Sequence, residues 1–307
     1  MRKTLSSLKA NQTNQWFIAI SGAIFILLWS TGFIVARYGM PYSEPFTFLV
    51  LRFGGVLLCM LPFVYFLRIP IPPKKQILHI AVSGLLLQLL YIGGVWSAIK
   101  LGMPAGVTAL LVGLQPVITA CLASIVAERV NLKQWLGLIL GFLGVGLVLF
   151  TKIKLDGLLI ESVLLSILGL LAITAGTFYQ KRFCPHFDLR IGSVIQFAAS
   201  FLGACLLAFL FESRHVEWNA PMMGALLWSI VILSIGANSL MFLLIRHGEV
   251  TKVTSLIYLS PPLTALLAWL LFNETLSAYF LLGLILTTAG VLLVNQKTNS
   301  ENKVATP

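Results

Sequence analysis

The residue best placed to do chemistry is an arginine, Arg52, within an apolar run from about residue 45 to residue 67. About seven residues of helix separate it from the start of that run, a depth of roughly 10 Å. A charge at membrane depth costs several kcal/mol unless it is paired or hydrated, which makes Arg52 a candidate for binding a carboxylate or phosphate group. The alternative is a structural arginine that reaches the membrane surface or binds carbonyl groups of neighbouring helices.

Other polar and aromatic side chains also lie inside apolar runs, where they could line a site for an amphipathic molecule. Hydroxyl and amide groups at such positions commonly bond neighbouring helices instead. With Arg52, the predicted substrate-binding residues are Trp29, Ser30, Tyr91, Gln115, Gln196, Tyr258 and Ser260.

A proline and a glutamate occur twice with the same spacing. Pro116 and Glu128 are 12 residues apart, and so are Pro262 and Glu274, which follow them by 146 residues. A proline removes a helical hydrogen bond and bends the helix, so we predict that Pro116 and Pro262 are hinges. Glu128 and Glu274 are predicted gates, one at each mouth of a pathway. The simpler alternative is that both carboxylates end a helix in water, near basic residues such as Arg129.

The acidic residues and histidines exclude several kinds of enzyme. None of the ten carboxylates lies near the middle of an apolar run, so an intramembrane aspartyl protease is excluded. The chain has neither an HExxH motif nor a GxxxxGK[ST] motif, and its histidines are isolated. We therefore predict that the protein is not an enzyme and has neither a metal nor a cofactor. A buried-carboxylate proton relay would have only Glu161, the deepest acid, or His79 to use.

The composition indicates which elements position these residues. Of the 307 residues, 58% are hydrophobic and 10% are charged, and the mean hydropathy is +0.96. Soluble domains have about a quarter charged residues, so this chain belongs in a lipid bilayer. The net charge of +11 would suggest nucleic acid in a soluble protein. Here the basic residues lie in short loops, where they set membrane orientation instead, and no nucleic-acid partner is predicted.

Ten apolar runs are long enough, or nearly so, to cross a membrane as helices. They span about 16–36, 45–67, 77–98, 104–126, 132–150, 157–179, 192–211, 223–245, 252–272 and 278–294. With the N-terminus in the cytoplasm, the inner segments hold 15 Lys and Arg residues and the outer segments hold 5. This bias predicts that both termini are cytoplasmic. The tails, 1–15 and 296–307, are polar and predicted to be disordered.

The chain contains an internal repeat. Beyond the proline and glutamate pairs, Gly137 matches Gly283 and Gly144 matches Gly290 at an offset of 146 residues, and earlier matches such as Phe53 with Phe197 have an offset of 144. The repeat divides the chain into five-helix halves at 16–150 and 157–295. Because five is odd, the second half must enter the membrane inverted, which is how many secondary transporters are built.

The four glycines predict close packing between the fifth and tenth helices, either within one chain or across a homodimer, which is left open.

This arrangement resembles the drug/metabolite transporter superfamily, EamA type. The resemblance covers about 16–295 and includes Trp29 to Phe33 in the first run and Leu51-Arg52-Phe53 in the second. It implies an all-α, multi-pass protein of the cell inner (plasma) membrane, often an exporter of small molecules by alternating access. A basic residue in the pathway favours anionic or zwitterionic cargo, such as amino-acid-like compounds. The alternatives are a non-transporting partner subunit, a channel or an intramembrane enzyme.

Overall fold

The computed structural model describes residues 2–119, 132–185, 187–240, 257 and 259–294. Within these ranges the protein is helical, and the β-structure consists of one isolated antiparallel bridge between Ser43 and Val216. The helices are α1 (Arg2–Gly39), α2 (Pro45–Phe66), α3 (Lys74–Lys100), α4 (Ala105–Thr119), α5 (Leu132–Asp156), α6 (Ile160–Phe183), α7 (Leu189–Phe211), α8 (Ala220–Leu240), α9 (Ser260–Phe272) and α10 (Ala278–Val294).

In the described part of the chain, seven helices are long and apolar enough to cross a membrane, namely α1, α2, α3, α5, α6, α7 and α8. The helices α4, α9 and α10 are also apolar but have only 10–17 residues each. Each helix overlaps one of the predicted runs. Helix α1 differs from the prediction because it begins at Arg2, so the N-terminal tail is helical rather than disordered. Residues 2–15 contain neither glycine nor proline, so nothing in this stretch stops the helix from extending. The C-terminal tail, 296–307, lies outside the described residues.

Local sequence explains where several helices begin and end. Pro45 opens α2, where its fixed φ angle suits a first helical position. Asp188 caps α7 and Asn219 caps α8, each accepting a hydrogen bond from a backbone N–H of the first turn. Asn273 ends α9 in the left-handed conformation, with φ of 54°.

Two helices change to π-helical geometry, α3 at Leu85–Leu90 and α8 at Trp228–Ala237. Displaced by 144 residues, the first segment falls at 229–234, inside the second. A π-helical turn redirects the side chains that follow it and is common at functional sites. The two segments therefore occupy equivalent positions of the repeat.

Helices at matching positions of the repeat also contact each other. Helix α2 packs along α7, where the rings of Phe53 and Phe197 lie 5.7 Å apart between centroids. Helix α5 packs along α10 so closely that a Cβ added at Gly290 would lie 2.5 Å from the carbonyl oxygen of Gly137. The predicted packing of the fifth and tenth helices is confirmed within one chain, so the glycines do not require a dimer.

Two large apolar clusters fill the bundle. The first joins α1, α2, α3, α4, α7, α8 and α9 and contains the fully buried Phe48 and Phe53. The second joins α3, α4, α5, α6, α9 and α10 around Leu110 and Val117. Arg52 lies on α2, next to Phe53 of the first cluster, and is itself buried.

Candidate functional site

Arg52 points into the protein rather than out to lipid. Only 6% of the residue is exposed. Its Nε donates a hydrogen bond of 3.1 Å to Ser234 Oγ in the π-helical segment of α8. Its guanidinium carbon lies 5.2 Å from the ring centre of Trp96 on α3, which is cation–π geometry. Arg52 thus contacts both α3 and α8, and its side chain is directed into the helix bundle.

The surroundings of Arg52 are aromatic and carry hydroxyl groups. The ring of Trp96 packs edge-on against Phe48, with centroids 5.0 Å apart. Tyr91, one of the predicted site residues, packs against the same apolar cluster as Phe48 and Trp96. Ser234 Oγ in turn donates a hydrogen bond of 2.8 Å to the backbone carbonyl oxygen of Ser229, five residues earlier. Among the described residues, no carboxylate forms an ion pair with Arg52.

Ser30 and Ser260 are brought together, where α1 meets α9. Both side chains are buried, and Ser30 Oγ lies 3.4 Å from Ser260 Oγ. Thr264 Oγ1 adds a second contact by donating a hydrogen bond of 3.3 Å to the backbone carbonyl oxygen of Ser30. These hydroxyls bond one helix to another. Trp29, the residue before Ser30, is half-buried and packs against Phe25 one turn earlier, with ring centroids 5.6 Å apart.

The two predicted glutamines lie elsewhere. Gln115 Nε2 donates a hydrogen bond of 3.2 Å to Thr177 Oγ1 on α6, and this contact lies at the exposed surface of the protein. Gln196 on α7 donates to Ser83 Oγ at 3.0 Å and to Gln180 Oε1 at 3.1 Å. The described contacts therefore place the predicted residues in separate groups, with Ser260 beside Ser30 and Tyr91 against the apolar cluster that contains Trp96.

The prolines stand beside breaks in their helices rather than inside continuous ones. Helix α4 is interrupted by a turn at Gly113 and Leu114, and Pro116 lies in the first turn of the helical piece that follows. Pro262 likewise lies in the first turn of α9. A proline there forfeits no hydrogen bond, because first-turn N–H groups have no acceptor within the helix. The two breaks meet, since a Cβ added at Gly113 would lie 2.7 Å from Pro261 Cγ.

Glu274 joins the two proline helices. The residue follows α9 in the chain. Its carboxylate accepts hydrogen bonds from the backbone N–H groups of Ala105 at 3.0 Å and Gly106 at 3.4 Å, at the start of α4. It therefore follows the end of one helix and caps the start of another. The predicted gate Glu128 and the predicted binding residue Tyr258 lie outside the described residues.

Sequence reasoning missed several polar contacts. Ser234 carries the hydrogen bond from Arg52, yet nothing in its sequence neighbourhood distinguishes it from other serines in apolar runs. His79 Nδ1 and the Tyr179 hydroxyl are 2.8 Å apart, and the His79 ring stacks on Phe183. In the described ranges, no three His, Cys, Asp or Glu side chains lie close enough together to hold a metal ion.

Comparison with known proteins gives the family. The sequence model of the EamA-like transporter family matches this chain twice, over residues 16–150 and 160–296. The uncharacterized transporter YvbV of Bacillus subtilis is 26% identical over 92% of this chain and 93% of its own length. The uncharacterized inner membrane transporter YedA of Escherichia coli is 26% identical over 90% of each chain.

A third relative, named a probable amino-acid metabolite efflux pump, comes from Salmonella typhimurium and is 24% identical over 88% of this chain and 92% of its own. One solved crystal structure matches with a TM-score of 0.62 and 19% identity, covering 91% of this chain and 96% of the other. At that identity the match shows the fold alone.

Proposed function

Because the chain belongs to the EamA-like transporter family, a family of multi-pass membrane transporters and not of enzymes, we propose that it exports small anionic or zwitterionic amphipathic molecules. The relative named a probable amino-acid metabolite efflux pump supports both the direction and an amino-acid-like cargo. The relative named an inner membrane transporter supports placement in the cell inner membrane.

The observation that carries the cargo class is the setting of Arg52. A buried guanidinium beside Trp96 and Ser234, with no carboxylate pairing among the described residues, is suited to an anionic group on a transported molecule. The adjacent aromatic ring offers an apolar surface to the rest of that molecule. Tyr91 completes this group, while Trp29, Ser30, Gln115, Gln196, Tyr258 and Ser260 are proposed to line other parts of the pathway.

The proposed mechanism is alternating access between two inverted five-helix halves with ten spans and both termini cytoplasmic. Three features support it: the family matches the chain twice, the π-helical segments are equivalent in the repeat, and α2 and α5 pack on their repeat mates α7 and α10. Two halves of opposite orientation give two related shapes, one open to each side of the membrane.

The breaks beside Pro116 and Pro262 are the proposed hinges, because an interrupted helix bends at lower cost than a continuous one. Glu274 is the proposed gate on the outer face, where its carboxylate holds α9 to α4. The repeat assigns the inner gate to Glu128.

The proposal is tested by comparing the growth medium of cells that express the protein with that of cells expressing Arg52→Gln at the same membrane level. We expect one or a few anionic or zwitterionic metabolites to accumulate outside only with the intact protein. Arg182→Gln is the matched control, because Arg182 is an exposed arginine at the end of α6, away from Arg52 and its partners.

Each outcome of this comparison has a distinct meaning. Equal accumulation with the intact protein and with Arg52→Gln would retain export and make Arg52 a structural contact between α2 and α8. A medium that neither protein changes would contradict export and favour uptake or a partner-subunit role. Loss of export with Arg182→Gln as well would show that the effect is not specific to the site.

A further inference from the structure

Glu212, which directly follows α7, binds the start of a different helix. Its carboxylate accepts hydrogen bonds from the backbone N–H groups of Phe46 at 2.8 Å and Thr47 at 2.6 Å, and from Thr47 Oγ1 at 2.8 Å. First-turn N–H groups lack an acceptor in their own helix, and a carboxylate is their strongest partner. Glu44, the residue before α2, makes no side-chain bond to this turn. Helix α2 is therefore capped by α7 and not by its own sequence.

The contact is reciprocal. The Oε2 atom of Glu44 accepts hydrogen bonds from Ser213 Oγ at 2.9 Å and from the backbone N–H of Arg214 at 3.0 Å. The bridge between Ser43 and Val216 lies beside it. Glu44 thus binds the loop after α7, and Glu212 binds the start of α2, so each side of the contact supplies one carboxylate.

The position of Glu212 is not explained by the helix that it follows. A negative charge at the C-terminal end of a helix is unfavourable, because that end already carries partial negative charge. The same charge is favourable at the N-terminal end of α2. Glu274 repeats the arrangement, since it follows α9 and caps α4. In both cases an acid of the second half holds the start of a helix of the first half.

Among the described residues, the opposite ends of α2 and α7 make no such contact. The start of α7 is capped by Asp188, the residue just before it, through a bond of 2.9 Å from the N–H of Arg190. The residue that precedes Glu212 by 144 positions is Arg68, a cation that cannot accept a hydrogen bond. In the described part of this helix pair, the carboxylate cap from one half to the other therefore lies on one face.

We infer that Glu212 is a positioning residue for transport, which holds the start of α2 against the end of α7 and must release it before this face opens. This inference rests on the alternating access proposed above. Arg52 lies two turns along α2 from the capped end, so the same bond fixes where its guanidinium lies. The released state is one in which the loops before α2 and after α7 move apart.

Pulsed electron paramagnetic resonance on the full chain in lipid nanodiscs tests this inference. Spin labels are placed at Pro41→Cys and His215→Cys, two exposed positions in the loops that Glu44 and Glu212 join, after the four native cysteines are replaced. We expect one main distance when Glu212 is intact and a second, longer distance with Glu212→Gln. The ratio of long to short distances should rise about tenfold, the size expected for one lost charge-assisted hydrogen bond.

Two further variants sharpen the result. Thr47→Val removes only the hydroxyl donor and should give a smaller rise, and it decides the question if Glu212→Gln does not fold. Glu217→Gln is the matched control, because Glu217 is an exposed acid in the same loop that contacts Tyr42 through its backbone N–H. It should leave the distances unchanged.

A lower melting temperature with an unchanged distance distribution would make Glu212 a static helix cap and would overturn the inference. The distance measurement needs no cargo, so it is independent of the export assay. A longer distance with Glu212→Gln supports the inferred role of Glu212 even if no exported metabolite is found. Export by the intact protein, together with unchanged distances in Glu212→Gln, would refute the inferred role of Glu212 and leave the proposed function unaffected.

Discussion

At the scale of single residues, Asp188 carries a pH dependence that can be measured. It lies outside the membrane-spanning segments, and the Arg190 side chain bonds its carboxylate at 2.7 and 3.1 Å. These bonds, with the bonds from the backbone N–H groups of the first turn of α7, lower the pKa of Asp188 below its ordinary value of 3.8. The ionised carboxylate is therefore favoured in the folded protein.

A lowered folded pKa means that the contribution of Asp188 to stability is present above about pH 4 and is lost as the pH falls through the folded pKa. We expect Asp188→Asn to lower the melting temperature by about 1–2 °C at neutral pH, as for an exposed pair. The difference from the intact protein should shrink toward zero below pH 4. Melting curves of both proteins between pH 3 and pH 7 measure it, and a difference that grows on acidification would contradict the assignment.

The sequence allowed Arg52 to be predicted as a buried, unusual charge, because a lone arginine in an apolar run is visible without any structure. Its partner could not be predicted, since Ser234 is 182 residues away and resembles many other serines in apolar runs. Glu212 was missed for a related reason. An acid at the end of an apolar run is expected to meet water, and its bonds to Phe46 and Thr47 depend on how two distant helices pack.

At the scale of helices, the contact between α5 and α10 depends on glycines, which have no side chain and let the two backbones touch. A Cβ at Gly290 would lie 2.5 Å from the carbonyl oxygen of Gly137 and 2.6 Å from the nitrogen of Gly141. Backbone atoms cannot move aside cheaply, so Gly290→Ala should destabilise the protein by about 1–3 kcal/mol. Gly146→Ala on α5 is the matched control, because nothing lies within 4 Å of the added carbon.

The control should be neutral or stabilising by up to about 1 kcal/mol, because alanine forms helix better than glycine. Thermal unfolding in detergent compares the two variants with the intact protein. Equal melting temperatures for both variants would mean that the glycine contact does not stabilise the bundle.

The helices were the most predictable part of the fold, because a long apolar run reports its own secondary structure. The breaks were harder to predict. Pro116 was predicted to bend or loosen its helix, and the interruption at Gly113 and Leu114 falls in the preceding turn, where a proline ring clashes with a helix. The sequence does not show that Gly113 also lies against Pro261 of α9, because that contact depends on how two distant helices pack.

At the scale of the whole molecule, four connections meet on one face. The bridge between Ser43 and Val216 joins the loop before α2 to the loop after α7. Lys100 Nζ at the end of α3 donates to the carbonyl oxygens of Met40 and Ser43. Glu274 after α9 binds the start of α4. The loops after α2 and after α6 lie at the other ends of their helices. This arrangement is expected if the spans alternate in direction.

The positive-inside rule assigns the face that contains Ser43 to the outside, and this assignment is the last prediction. In a cysteine-free protein, His215→Cys should react with a membrane-impermeant maleimide in intact cells. Ile71→Cys, which is 75% exposed in the loop after α2, should react only after the membrane is permeabilised. A green fluorescent reporter fused after Pro307 should fluoresce, as it does in the cytoplasm.

Together these three positions test the number of spans as well as their direction. Between His215 and Pro307 lie α8, α9 and α10, an odd number, so the two positions must be on opposite sides if the short helices α9 and α10 both cross the membrane. A reactive His215→Cys combined with a dark reporter would mean that one of them does not cross. Reversal of all three results would keep ten spans and invert the protein, which would place the carboxylate caps of Glu212 and Glu274 on the cytoplasmic face.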